Sequence, residues 1–230
     1  MKTTTKVSWV LTLALVLATG FAGVNRSAAA DSPRARLTVT VRIHNNAEVD
    51  DKMLAEAEKV AMEIFRKAGV ESRWVDDALT SENNNETLAH QGAFPLSHIW
   101  VSIYTGSMAD RFGLPSKVMG FTPGTERNRQ LVYVFYNRVE ALAQSQLRAR
   151  FEGSGRRPAT TAQILGHVIA HELGHVLLNI ASHSATGLMR GGWNLKDLQN
   201  AAYGCLLFTS QQAEVIRTEV FRRVTDSKMP

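Results

Sequence analysis

Residues 171–175 read HELGH, and they carry the side chains in this chain best suited to chemistry, inside the longer run GHVIAHELGHVLL over 166–178. His171 and His175 are four apart. On a helix that spacing puts both imidazoles on one face, about one turn from each other. Two such rings can hold one zinc ion at about 2.0–2.1 Å each. Glu172 follows the first histidine and can bond a metal-bound water without ligating the metal. Zinc lowers the pKa of such a water to about 7, and the carboxylate can take its proton. Ile164, Leu165, Val168, Ile169, Leu173, Val176 and Leu177 supply buried faces for a helix, and Gly174 leaves room for close packing. Two packed core histidines would produce the same five-residue pattern by chance. The residues that follow favour the zinc site.

The next run is LLNIASHSATGLMRGGW, residues 177–193. His183 lies eight residues past His175, so it cannot share the same straight helix face. The helix is expected to end near Leu178 or Asn179, with Asn179 as a left-handed stop. A turn then returns His183 to the metal as third ligand. Gly187-Leu188-Met189 reads as a tight turn with a methionine beneath the site. Asp197 and Glu214 are rival third ligands, since a later helix can supply a carboxylate to zinc. His183 is better placed, being closer in sequence and next to the methionine turn. His167 lies one turn before His171 and could support the ligands from behind. It reads rather as a packed or solvent-facing histidine. His44 and His98 read as structural, and His90 falls in a loop.

An HExxH helix, a third histidine and a turn with methionine together resemble the metzincin zinc endopeptidases, and most of all their matrixin-like bacterial members. The resemblance implies zinc held by His171, His175 and His183, Glu172 as general base, and Met189 as the Met-turn residue. It also implies a zincin-like α/β (α+β) domain with a mixed twisted sheet, an active-site helix and a small helical C-terminal part. The cleft would divide the domain near Asn179, and an edge strand would line it and pair with an extended protein or peptide substrate. One departure stands out. The family pattern has glycine where this chain has Leu178, and its third histidine where this chain has Ala181. His183 comes two residues late, as an insertion of two around Asn179 would produce.

The elements that must position these residues can be read from periodicity. Residues 35–43 alternate and form a first strand. Residues 50–68 have helical spacing, with Met53, Leu54, Ala57, Val60, Ala61, Ile64 and Phe65 inward and Gly69 as the stop. Strands follow at 70–75 and 97–104, separated by a polar loop over 76–96. Residues 106–117 read as a second loop and 118–122 as a short edge strand. Residues 131–136 are apolar on both faces and read as a central strand. A helix is expected over 139–151 and a linker over 152–158, before Thr160 or Thr161 caps the HELGH helix. Helical segments close the chain at 195–207 and 210–224, with Thr209 or Ser210 as cap.

Composition bounds the remaining classes. Residues 1–30 read as a secretory signal peptide, with Lys2 and Lys6, an apolar stretch over 7–18 and an Ala28-Ala29-Ala30 end. Residues 31–230 then form one catalytic domain, exported to the periplasm or beyond and not inserted in the membrane after cleavage. The signal holds three of the 26 basic residues, leaving 23 against 21 acidic ones. A net charge of +2 gives nucleic-acid binding little support. Cys205 is the one cysteine, so an internal disulfide and a cysteine switch are both excluded; it is expected to be buried. Asn85-Glu86-Thr87 matches a glycosylation sequon, and Arg148, Arg150, Arg156 and Arg157 read as a solvated basic surface. The expected function is an exported zinc metalloendopeptidase. The alternatives are a binding module that keeps an inactive zinc site and a zinc hydrolase of a non-peptide bond.

Overall fold

Alternation builds the first strand, β1 (Thr38–Asn45), which buries Val39, Val41 and Ile43 on one face. The chain then enters α1 (Asp51–Lys67), where the Asp50 carboxylate accepts from the backbone N–H groups of Lys52 and Met53. Leu54, Ala57, Ala61, Ile64 and Phe65 form its buried stripe. Gly69, at φ +83°, turns the chain into β2 (Glu71–Asp76), parallel to β1. On the other side of β1 lies β3 (His98–Tyr104), and beyond it β5 (Leu131–Phe135), both parallel to their neighbours. A two-residue strand, β4 (Gly120–Phe121), pairs antiparallel with β5 and ends the sheet. The order is β2-β1-β3-β5-β4. The computed structural model describes residues 37–76, 95–124, 130–149 and 157–227, all within the unit Ala35–Pro230. Among them the architecture is mixed α/β, with a mostly parallel sheet of five strands and six helices.

One helix is enclosed by the rest. In α4 (Thr161–Leu178) every residue from Ile164 to Leu178 is buried. Thr160 caps it, its hydroxyl accepting from Gln163 N–H while the Gln163 side chain accepts from Thr160 N–H. Packed around α4 are α1, β5, α3 (Tyr136–Ala149), α5 (Leu195–Ala202) and α6 (Ser210–Asp226). A helix buried on all sides is apolar on all sides, so its sequence shows little amphipathic period.

Four expectations are corrected. Residues 106–117 hold a helix, α2 (Gly106–Arg111), which is six residues long, has no side-chain cap and buries only Ala109. Such a turn leaves almost no periodic signal. β5 is interior, between β3 and β4, but β3 is the middle strand, and β5 buries Val132, Val134 and Phe135 while Leu131 and Tyr133 are half-buried. The expected helix over 195–207 stops at Ala202, where Gly204 at φ +67° ends it. The apolar run Leu206-Leu207-Phe208 packs against the core from a segment without regular structure. Cys205 is exposed rather than buried. The expected signal peptide, the sequon, His90, Arg150 and Arg156 lie outside the described residues. Among the described residues no helix is long and apolar enough to cross a membrane.

Candidate metal centre

His171 and His175 occupy successive turns of α4, and their Nε2 atoms lie 3.1 Å apart. Both rings are buried. The helix ends where the return to His183 begins, at Asn179, which adopts the left-handed conformation (φ 52°, ψ 43°). Asparagine tolerates that region better than other residues with a side chain, apart from aspartate. Buried Arg223 of α6 donates to the carbonyl oxygen of Val176 at 3.2 Å, placing a positive charge at the C-terminal end of the helix.

Residues 180–183 then fold back. The Nε2 atom of His183 comes 3.3 Å from that of His175, and the three imidazoles each present one nitrogen within 4.8 Å of the others. Gly191 makes room for the third ring: a Cβ there would sit 2.8 Å from His183 Cγ. The turn below is closed by Ser184 N–H donating to the Met189 carbonyl at 2.8 Å and Arg190 N–H to that of Gly187 at 3.2 Å. Gly187 is at φ +76°, and Leu188 N–H donates to the Leu207 carbonyl at 2.9 Å. Met189 is fully buried, its sulfur directly against Gly174 of α4.

The donor chemistry of this cluster fits a metal ion. His171 Nδ1 lies 2.8 Å from the Leu188 carbonyl oxygen, and His175 Nδ1 lies 2.8 Å from that of Ile180. A carbonyl only accepts, so both Nδ1 atoms carry the proton and both Nε2 atoms present lone pairs. Burial holds the His171 pKa down at about 4 and lowers that of His175, so both rings stay neutral at neutral pH. Two lone pairs facing each other at 3.1 Å repel unless a positive centre lies between them. Two bonds of about 2.0–2.1 Å at a tetrahedral angle separate their donor nitrogens by about 3.3 Å. The observed 3.1 and 3.3 Å match that spacing.

Glu172 stands beside the cluster in the lining of the same cleft, with its carboxylate against Thr122 and β4. The Thr122 hydroxyl donates to Glu172 Oε2 at 2.8 Å and lies 3.1 Å from the backbone oxygen of the same residue. A Cβ on Gly120 would come within 2.6 Å of Oε1, so β4 can pass this close only as glycine. Burial pushes the carboxyl pKa up to about 7, against the smaller downward pull of the Thr122 hydrogen bond.

Two hollows of similar size, about 530 and 550 Å³, meet at Val118, Gly120, Glu172 and His183. One extends toward Arg138, Arg190 and Trp193 and includes His171; the other extends toward Thr122, Asn179 and Ile180 and includes His175. The far edge of β4 pairs with no described strand and faces this cleft.

The rivals for third ligand lie elsewhere. Asp197 is in the first turn of α5, where Oδ2 accepts from Asn194 N–H at 2.9 Å and pairs with Arg190 at 3.2 Å. Glu214 is exposed on α6. His167 is buried, with Nδ1 2.6 Å from the Gln163 carbonyl oxygen and its ring edge-on to Trp193. Sequence reasoning passed over Thr122, Gly191 and Trp193. The Trp193 indole N–H donates at 3.2 Å to the same Leu188 carbonyl that His171 uses. A tryptophan ten residues past a ligand carries no local signal of that role. No protein-family model matches this chain, and no curated protein matches it.

Proposed function

We propose that this chain is a zinc-dependent metallopeptidase of metzincin type. The observation that carries the reading is the meeting of three imidazole nitrogens, two with their lone pairs fixed inward, beside a carboxylate held by a threonine. Imidazole and carboxylate are ordinary zinc-site residues, and a neutral histidine set leaves the ion its full positive charge. When bound, zinc supplies Lewis acidity toward a carbonyl oxygen and acidifies water.

The chain's own residues then divide the work. His171, His175 and His183 hold the ion and leave a position open toward the cleft. Leu188 and Ile180 orient two of the rings through their carbonyls. Glu172 takes a proton from water and passes it to the leaving amine, while Thr122 keeps the carboxylate from rotating away. A peptide is favoured over a compact substrate because the cleft extends to both sides of the cluster along the open edge of β4. An extended chain can add to such an edge through backbone hydrogen bonds. Export through residues 1–30 belongs to the same reading, and intact-mass measurement of protein from the native host, finding an N-terminus near Asp31, tests it.

The decisive experiment sets metal content and proteolysis of the wild type beside those of Glu172→Ala. The wild type is expected to bind one zinc per chain and to cleave casein-like or cell-wall peptides. Glu172→Ala should keep the metal and lose about 10²–10⁴-fold in rate. Zinc without hydrolysis in the wild type would point to a binding module. Full activity in the variant would remove Glu172 from the reaction.

A further inference from the structure

The two hollows that flank the histidine cluster are nearly equal in volume but not in charge. The hollow on the His175 side contains no lysine, arginine or aspartate in its lining. The hollow on the His171 side is lined by Lys117, Arg138 and Arg190, and Glu172 is its one carboxylate. The three cations are not equivalent. Arg138 is committed: it donates to the carbonyls of Pro115 and Val118 at 2.7 and 2.8 Å and to Asp110 at 3.0 Å. Those bonds hold the loop that leads into β4. Arg190 donates from Nη1 to Asp197 at 3.2 Å, and its Nε and Nη2 groups make no other bond among the described residues. Lys117 is exposed and has no ion pair among the described residues. The walls between them include Met119, Leu142, Val168 and Trp193.

A hollow with an apolar wall and unclaimed N–H donors fits an aliphatic stem that ends in a carboxylate. We propose that the His171-side hollow binds an acidic side chain of the substrate, glutamate in preference to glutamine, and that Arg190 and Lys117 are the residues that read it. The proposal rests on the metallopeptidase reading and names its substrate class. Arg190 can form a charge-assisted bond while keeping Asp197, and Lys117 adds a mobile charge at the mouth. The opposite hollow has no basis for the same preference, so the substrate would be acidic on one side of the metal and uncharged on the other.

The test uses two small probes on the zinc-loaded full-length protein: glutaric acid monohydroxamate and the methyl ester of the same compound. Each carries a zinc-binding hydroxamate, and only the first carries a free carboxylate. Calorimetry is expected to show the acid binding on the order of tenfold tighter than the ester, as one hydrogen bond to a charged group gives. That ratio should fall toward one in Arg190→Gln and by a smaller factor in Lys117→Gln, and it should shrink as salt is raised. Lys117 is exposed, so its variant keeps the test open if Arg190→Gln disturbs the turn at Asp197. Equal binding of both probes by the wild type would overturn the acidic preference and leave the metal site standing. An unchanged ratio in both variants would overturn the assignment of these residues. Binding of neither probe would overturn the metal reading and this proposal with it.

Discussion

The two halves of the histidine cluster are built differently. His171, Glu172 and His175 lie on one regular, buried helix, and their spacing follows from backbone geometry alone. His183 is exposed and comes from a segment without regular structure, placed by Asn179, Gly187, Gly191 and the Leu207 carbonyl. The helix half takes its spacing from the backbone, and only the orientation of its two rings depends on the Leu188 and Ile180 carbonyls. The return half depends on several separate contacts, each of which can be broken without touching an imidazole nitrogen of the cluster. The contacts, not the count of residues between His175 and His183, set where the third ring arrives.

That contrast can be broken at its strongest point first. His171→Ala or His175→Ala is expected to abolish tight zinc binding, read by metal analysis after dialysis. Stoichiometric zinc in the double variant would refute the site altogether. His183→Ala comes next. It should weaken zinc by more than the 10–100-fold typical of losing an outer hydrogen-bond partner, whereas Asp197→Ala and Glu214→Ala should leave affinity unchanged. Competition with a chelator of known affinity measures all three, and a large loss in Asp197→Ala would move the third ligand to α5.

Smaller effects sharpen the comparison. Gly191→Ala pushes a Cβ into the His183 ring, so it should cost zinc affinity within the 10–100-fold range while leaving α4 and thermal stability of the metal-free protein close to wild type. Unchanged affinity would mean that the return segment adjusts freely. Asn179→Ala should lower stability by about 1 kcal/mol, because alanine pays more than asparagine for a left-handed residue, and Asn179→Gly should restore it. Denaturant midpoints decide between them. A destabilised glycine variant would show that the Asn179 side chain, not its conformation, matters.

Much of the frame was legible because its causes are local. The four-residue spacing in HELGH, the Asp50 cap, the inward stripe of α1 and the stop at Asn179 each depend on a few neighbouring residues. The strands β1 and β3 were legible through alternation and apolar runs. Where the sequence signal was misleading, a local pattern had been satisfied by distant contacts. Leu206-Leu207-Phe208 is apolar because it packs on the core and supports the turn at Leu188, not because it is helical. Cys205, next to that run, points outward at the bend that follows Gly204.

By itself, then, the sequence determined that two imidazoles and a carboxylate share one end of a buried helix, that the helix stops at Asn179, and that a histidine and a methionine turn follow. Spacing along a helix is a property of the backbone, so no other part of the chain was needed. Only the tertiary structure decided that His183 reaches the other two rings, that Thr122 holds Glu172 from 50 residues away, and that Gly120 and Gly191 are the spaces into which a carboxylate and a ring fit. It also decided that positive charge gathers on one side of the cleft. These arrangements join residues far apart in the chain, and nothing in the local preference of either partner encodes where the other will be.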